Sequence, residues 1–120
     1  VLADLIGTLA EIDNPEQYQG ASERPVRILV VDDSSVARNQ ITRTLEQMGM
    51  QPIVGKNGRE GLKLLKDMLG SEELIDAVIS DVEMPEMDGY TLTQEIRNNE
   101  QLRHLPVLLH TSLSGVFNDA

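Results

Sequence analysis

The amino-acid sequence predicts an α/β fold: a doubly wound parallel sheet with helices on both faces. Short apolar, β-branched runs alternate with segments whose apolar residues recur at helical spacing, in the order β-α-β-α-β-α-β. Three of the four runs are continuously apolar rather than alternating, as expected of strands covered on both sides.

The first strand is Val26 to Val31 (VRILVV), which runs into Asp32-Asp33-Ser34-Ser35. Val36, Ala37, Ile41, Leu45 and Met48 follow at helical spacing, and Gly49 stands where a helix C-terminal cap belongs. Gln51 to Gly55 (QPIVG) is a weaker strand, and its Pro52 confines it to a sheet edge. Asn57-Gly58 marks a turn, after which Leu62, Leu65 and Leu69 form one face of a helix closed by Gly70. Ile75 to Ser80 (IDAVIS) is the third strand, running into Asp81. A Met84-Pro85-Glu86-Met87-Asp88-Gly89 loop leads to a short helix from Tyr90 to Asn98, with Leu92 and Ile96 inward. Pro106 to His110 (PVLLH) is the fourth strand and ends at Thr111-Ser112.

Residues 1–24 differ from the rest. Leu2, Leu5, Ile6, Leu9 and Ile12 suit a short amphipathic helix, which Asp13-Asn14-Pro15 stops; Glu16 to Arg24 is linker-like. The expected organisation is a helix and linker from a preceding domain over 1–24 and one domain over 25–120. A first residue of Val1 and the lack of a basic-then-apolar leader suggest an internal fragment.

The 120 residues carry 20 Asp+Glu against 10 Lys+Arg, a net charge of −10. That balance argues against a nucleic-acid partner, which needs clustered Lys and Arg, and against anionic membrane surfaces. No apolar run approaches the roughly 20 residues of a membrane span. With no Cys, the core must hold without disulfides.

Parallel α/β sheets place their sites at the carboxyl ends of strands, where strand order reverses. Asp32 and Asp33 end the first strand, Asp81 the third and Thr111 the fourth. In an order 2-1-3-4 the first and third strands are neighbours, so their acidic tips share one pocket. Three crowded carboxylates call for a cation, and Mg²⁺ suits oxygen ligands with a phosphate oxygen as a further one. No His or Cys is expected to make a zinc site here; His110 reads as a strand residue near the core and His104 as solvated. The plainer reading of Asp33 and Ser34 is that they cap the following helix.

VRILVVDDSSVAR, VISDVEMPEMDGYTL and LPVLLHTS, in that order, resemble the receiver domain of bacterial response regulators, a flavodoxin-like fold. The likeness covers Pro25 to Ala120. The HTSLSGVFNDA segment and the acidic helix and linker in front are most similar to the CheV family of chemotaxis proteins, which join a CheW-like coupling domain to a receiver.

The resemblance implies that Asp81 is the phosphoacceptor, attacking the phosphohistidine of a CheA-like histidine kinase. It implies Mg²⁺ held by Asp33 directly, by Asp32 largely through water, by Asp81 and by the backbone carbonyl of Glu83. Thr111 would hydrogen-bond a phosphoryl oxygen, and residues 112–114 would move with it. A cytoplasmic switch rather than an enzyme follows, with a chemoreceptor and coupling complex as a further partner through the preceding domain.

Two departures stand out. Receivers carry a Lys after a fifth strand, yet no Lys follows Lys66, which suggests a truncation that omits the fifth strand and last two helices. The fourth strand would then be an open edge suited to dimer pairing or swapping. Glu83, two residues after Asp81, is expected to face the phosphoryl group and alter its lifetime. Two other function classes stay open: an interaction module of this fold that has lost phosphotransfer, and, least favoured, a Mg²⁺-dependent phosphohydrolase.

Overall fold

A computed structural model describes residues 24–111. The amphipathic stretch and most of the linker expected over 1–24, and the loop at 112–114, lie outside the described residues. Four parallel strands, β1 (Arg27–Val31), β2 (Gln51–Gly55), β3 (Ala77–Asp81) and β4 (Val107–His110), form one sheet in the order β2-β1-β3-β4. Three helices connect them: α1 (Ser35–Gln47), α2 (Gly58–Met68) and α3 (Gly89–Asn98).

Strand parity divides the core into two layers. Leu29, Val31 and Val78 project to the face packed with Leu62 and Leu65 of α2 and Leu92 and Ile96 of α3. Ile28, Val30, Ala77 and Ile79 project to the other face, against Ile41 and Leu45 of α1. β1 and β3 are buried on both sides, which is why their sequences are continuously apolar. Burying each such Val, Leu or Ile side chain is worth about 1.5–3 kcal/mol. β2 lies at the edge, where the missing N–H of Pro52 costs no bond that an inner strand would need.

The helix ends follow from local chemistry. Ser34 caps α1, its hydroxyl accepting the Ala37 N–H at 3.3 Å. At the other end Gly49 takes φ +80°, its N–H donates to the Glu46 carbonyl at 3.0 Å, and the Met50 N–H donates to the Leu45 carbonyl at 3.0 Å. This is the Schellman closure that a Gly at this position allows, with Met50 and Leu45 packed in the same layer. Asn57 caps α2 by accepting the Glu60 N–H at 2.9 Å, and Glu60 Oε1 reaches back to the Lys56 N–H at 3.2 Å. Asp88 caps α3 by accepting the Thr91 N–H at 2.7 Å.

The largest boundary shift from the sequence expectation is at β3. β3 begins at Ala77 rather than Ile75 and includes Asp81. Asp76 is drawn out of the strand because its carboxylate receives both the Arg24 guanidinium (2.7 and 2.9 Å) and the Arg27 N–H (2.8 Å). Among the described residues, no helix is long and apolar enough to cross a membrane.

Candidate functional site

The site is assembled by parity and register. Asp32 follows Val31 with its N–H still bonded to the Gly55 carbonyl at 3.2 Å, so it continues the strand and takes the same face as Ile28 and Val30. Asp81, two residues beyond Ile79, takes that face on the neighbouring strand. His110, two beyond Leu108, takes it on the next, and the β3–β4 register sets Asp81 directly beside His110. Three polar side chains at the carboxyl ends of adjacent strands thus point one way.

They meet. One ligating atom from each of Asp32, Asp81 and His110 lies within 4.8 Å of the others. His110 Nε2 stands 3.7 Å from Asp32 Oδ2. Asp32 and Asp81 are fully buried, and the His110 side chain is nine-tenths so. Each carboxylate spends one oxygen on the backbone: Asp32 Oδ1 accepts the Ser34 N–H at 2.8 Å, and Asp81 Oδ1 accepts the Glu83 N–H at 3.4 Å. The remaining atoms, Asp32 Oδ2, Asp81 Oδ2 and His110 Nε2, are buried without a hydrogen-bond partner. Buried polar atoms are rarely left so, and here they face a common point, as a cation site would require.

The electrostatics agree. Burial pushes the Asp81 carboxyl up to about 6, the nearby Asp32 charge pushes the same way, and the Glu83 N–H and His110 pull against it. Burial also raises Asp32, opposed first by the Ser34 N–H and then by His110. Two carboxylates so close resist ionising together until a cation joins them. Asp81 keeps Oδ2 clear of any hydrogen bond. Its free Oδ2 is a more basic, and hence better, nucleophile than an exposed carboxylate.

The loop after β3 closes over Asp81. Met87 N–H donates to the Pro85 carbonyl at 2.8 Å in a γ-turn whose centre, Glu86, has φ 68°. The chain then returns so that the Gly89 N–H bonds the Val82 carbonyl at 2.9 Å. A Cβ on Gly89 would run into the Asp81 carbonyl, so only glycine permits this return. Met84 is buried and Met87 partly so, as packing residues.

The sequence-predicted residues divide accordingly. Asp32 and Asp81 come together as expected. Asp33, expected as a direct ligand, has the opposite parity and is exposed, although its charge still acts on both neighbours. Glu83 is exposed and touches Asp81 through its backbone N–H. Thr111 is exposed, and its carbonyl accepts from His110 Nδ1 at 3.0 Å. Ser34, rather than Asp33, is the helix cap. His110, expected as a strand residue near the core and outside any zinc site, does end β4, and parity turns its ring into the acidic pocket beside Asp32 and Asp81. A groove of about 550 Å³ lies elsewhere, lined by Leu65, Leu74, Leu102 and Leu105 among others, and contains none of the three.

Comparison with known proteins supports the same reading. The response regulator receiver domain model matches residues 28–118. The chain is 39% identical over 85 residues to the sensor histidine kinase CheAY of Helicobacter pylori, covering 71% of this chain and 10% of that protein. It spans from 9% to 60% of the length of such curated relatives. The receiver domain of a signal transduction histidine kinase from Syntrophus aciditrophicus superposes with a TM-score of 0.64 at 34% identity, covering 78% of this chain and 70% of that one. The chemotaxis response regulator CheY4 of Vibrio cholerae gives 0.64 at 29%, covering 77% and 75%. With its parallel sheet ordered β2-β1-β3-β4 and its acidic pocket at the strand tips, the chain belongs to the response regulator receiver domain family, whose members act as phosphoacceptor switches rather than classical enzymes.

Proposed function

We propose that this domain accepts a phosphoryl group on Asp81 from the phosphohistidine of a histidine kinase, in a CheV-like chemotaxis protein with a CheA-like kinase as donor. The observation that carries the reading is the free, buried Oδ2 of Asp81 at the carboxyl end of an inner strand, facing Asp32. In the transfer, an Asp81 oxygen forms the new bond to phosphorus while the phosphorus–nitrogen bond of the donor imidazole breaks. The imidazole leaves with that electron pair and takes up a proton. Asp81 is positioned by its bond from the Glu83 N–H and by the Gly89 turn behind its carbonyl.

Asp32, Asp33, Asp81 and the Glu83 backbone carbonyl would hold Mg²⁺, with Asp33 at the rim. The fit rests on two buried carboxylate oxygens that have no partner. Mg²⁺ when bound supplies positive charge against the phosphoryl oxygens and the clustered carboxylates. Thr111, at the tip of β4, would donate its hydroxyl to a phosphoryl oxygen.

In this reading residues 25–120 are the receiver and 1–24 a helix and linker from a preceding domain that reaches a coupling complex. The outer edge of β4 is where a second chain could pair. Incubation with a small acyl phosphate and Mg²⁺ tests the function. Phosphoprotein should form with the natural chain and not with Asp81→Asn; equal labelling of both would refute it.

A further inference from the structure

His110 changes what the pocket can bind. A carbonyl oxygen can only accept, so the 3.0 Å contact between His110 Nδ1 and the Thr111 carbonyl places the ring proton on Nδ1. In the neutral ring, the form a metal would take, Nε2 carries a free lone pair. It is buried, has no partner, and is aimed at Asp32 Oδ2 from 3.7 Å. A ring held by a backbone carbonyl on one nitrogen and open on the other is how proteins orient histidines that ligate metals. The backbone around it is fixed as well, since the His110 carbonyl accepts the Val82 N–H at 2.9 Å within the β3–β4 ladder.

We infer that Asp32, Asp81 and His110 Nε2 form a mixed oxygen–nitrogen centre selective for borderline first-row dications, such as Co²⁺ or Zn²⁺, over Mg²⁺. Ligands about 2.1 Å from a common metal lie about 3.0–3.4 Å apart at tetrahedral or adjacent octahedral positions. The His110–Asp32 pair stands at 3.7 Å and all three atoms lie within 4.8 Å of one another, so the side chains must close inward to reach that range. Imidazole suits this group of metals, whereas Mg²⁺ favours an all-oxygen octahedron and gives up water reluctantly. Three protein ligands leave positions open for water or a phosphoryl oxygen. The inference deepens the phosphoacceptor reading, because the same Asp81 that takes the phosphoryl group contributes to the metal.

The test titrates the full chain with Co²⁺ in the absence of any phosphoryl donor, with Mg²⁺ as competitor. Bound Co²⁺ should give a hyperfine-shifted ring N–H resonance that disappears in D₂O, assigned to the Nδ1 proton of His110. The ratio of Co²⁺ to Mg²⁺ affinity should fall at least tenfold in His110→Val. It should be unchanged in His104→Gln, whose exposed ring lines the distant groove. Absence of the shifted resonance in the natural chain overturns the proposal even if His110→Val does not fold. So does a ratio that His110→Val leaves intact. Acyl phosphate labelling in Mg²⁺ alone is scored separately: labelling without Co²⁺ selectivity removes only this inference, and selectivity without labelling removes only the phosphoacceptor reading.

Discussion

Asp81 and His110 are register partners across the β3–β4 ladder, and both turn toward Asp32 on β1. The pairing puts a buried carboxylate with one free oxygen beside a buried imidazole with one free nitrogen. Folding therefore gathers groups whose electrostatic cost the Ser34 and Glu83 N–H groups and His110 offset only in part.

The cost should be visible in stability against pH. In the unfolded chain Asp81 titrates near 3.8, and in the fold near 6. The folded state holds the proton more tightly, so this group's contribution is full below 3.8 and is lost as pH rises through about 6. The metal-free protein should lose on the order of 2 kcal/mol from it across that window. Asp32, also raised, adds in the same direction. Asp81→Asn should flatten the slope and be the more stable protein at pH 7.5. Urea denaturation at pH 4.5 and 7.5 measures this, and parallel curves for the two proteins would contradict it.

Gly89→Ala should destabilise the fold by about 1–3 kcal/mol, because the new methyl meets the Asp81 carbonyl and the Leu109 side chain. The displaced Asp81 backbone should also slow acyl phosphate labelling. A substitution that leaves both the denaturation midpoint and the labelling rate unchanged would show that the return of the loop does not position Asp81.

Asn57→Ala should cost about 1 kcal/mol through loss of the α2 cap. Labelling kinetics should stay the same, since α2 contributes nothing to the three-residue cluster. Loss of labelling in a folded Asn57→Ala protein would place the site differently.

Glu83→Gln removes an exposed negative charge two residues from Asp81. Labelling should quicken by a factor of about three, as expected for one screened charge near the surface. The phosphoprotein lifetime should change with it. Unchanged rates of both formation and decay, followed by phosphate-affinity gels, would rule out a role for the Glu83 side chain.

Much of the fold was legible because α/β chemistry repeats itself locally. Continuous apolar runs such as ILVV announce strands covered on both faces, Pro52 announces an edge, and Gly49 announces a left-handed cap. The β3 boundary was less legible, since Asp76 is held outside the strand by Arg24, a partner 52 residues away in sequence. At the site, the acidic strand tips marked Asp32 and Asp81. Which of Asp32 and Asp33 is buried depends on strand parity, and His110 was hidden for the same reason. A lone histidine in an apolar run carries no signal by itself. Counting by twos from Leu108, with β3 and β4 as neighbours, would have found it.

Phosphorylation on Asp81 leaves a chemical mark that can be located directly. Phosphorylation of the full chain by acyl phosphate, followed by borohydride reduction, converts an aspartyl phosphate to homoserine, which peptide mass spectrometry locates. Homoserine at position 81 alone is the predicted result. Homoserine at Asp32 or Asp33, or phosphate retained elsewhere with Asp81 unchanged, would contradict it.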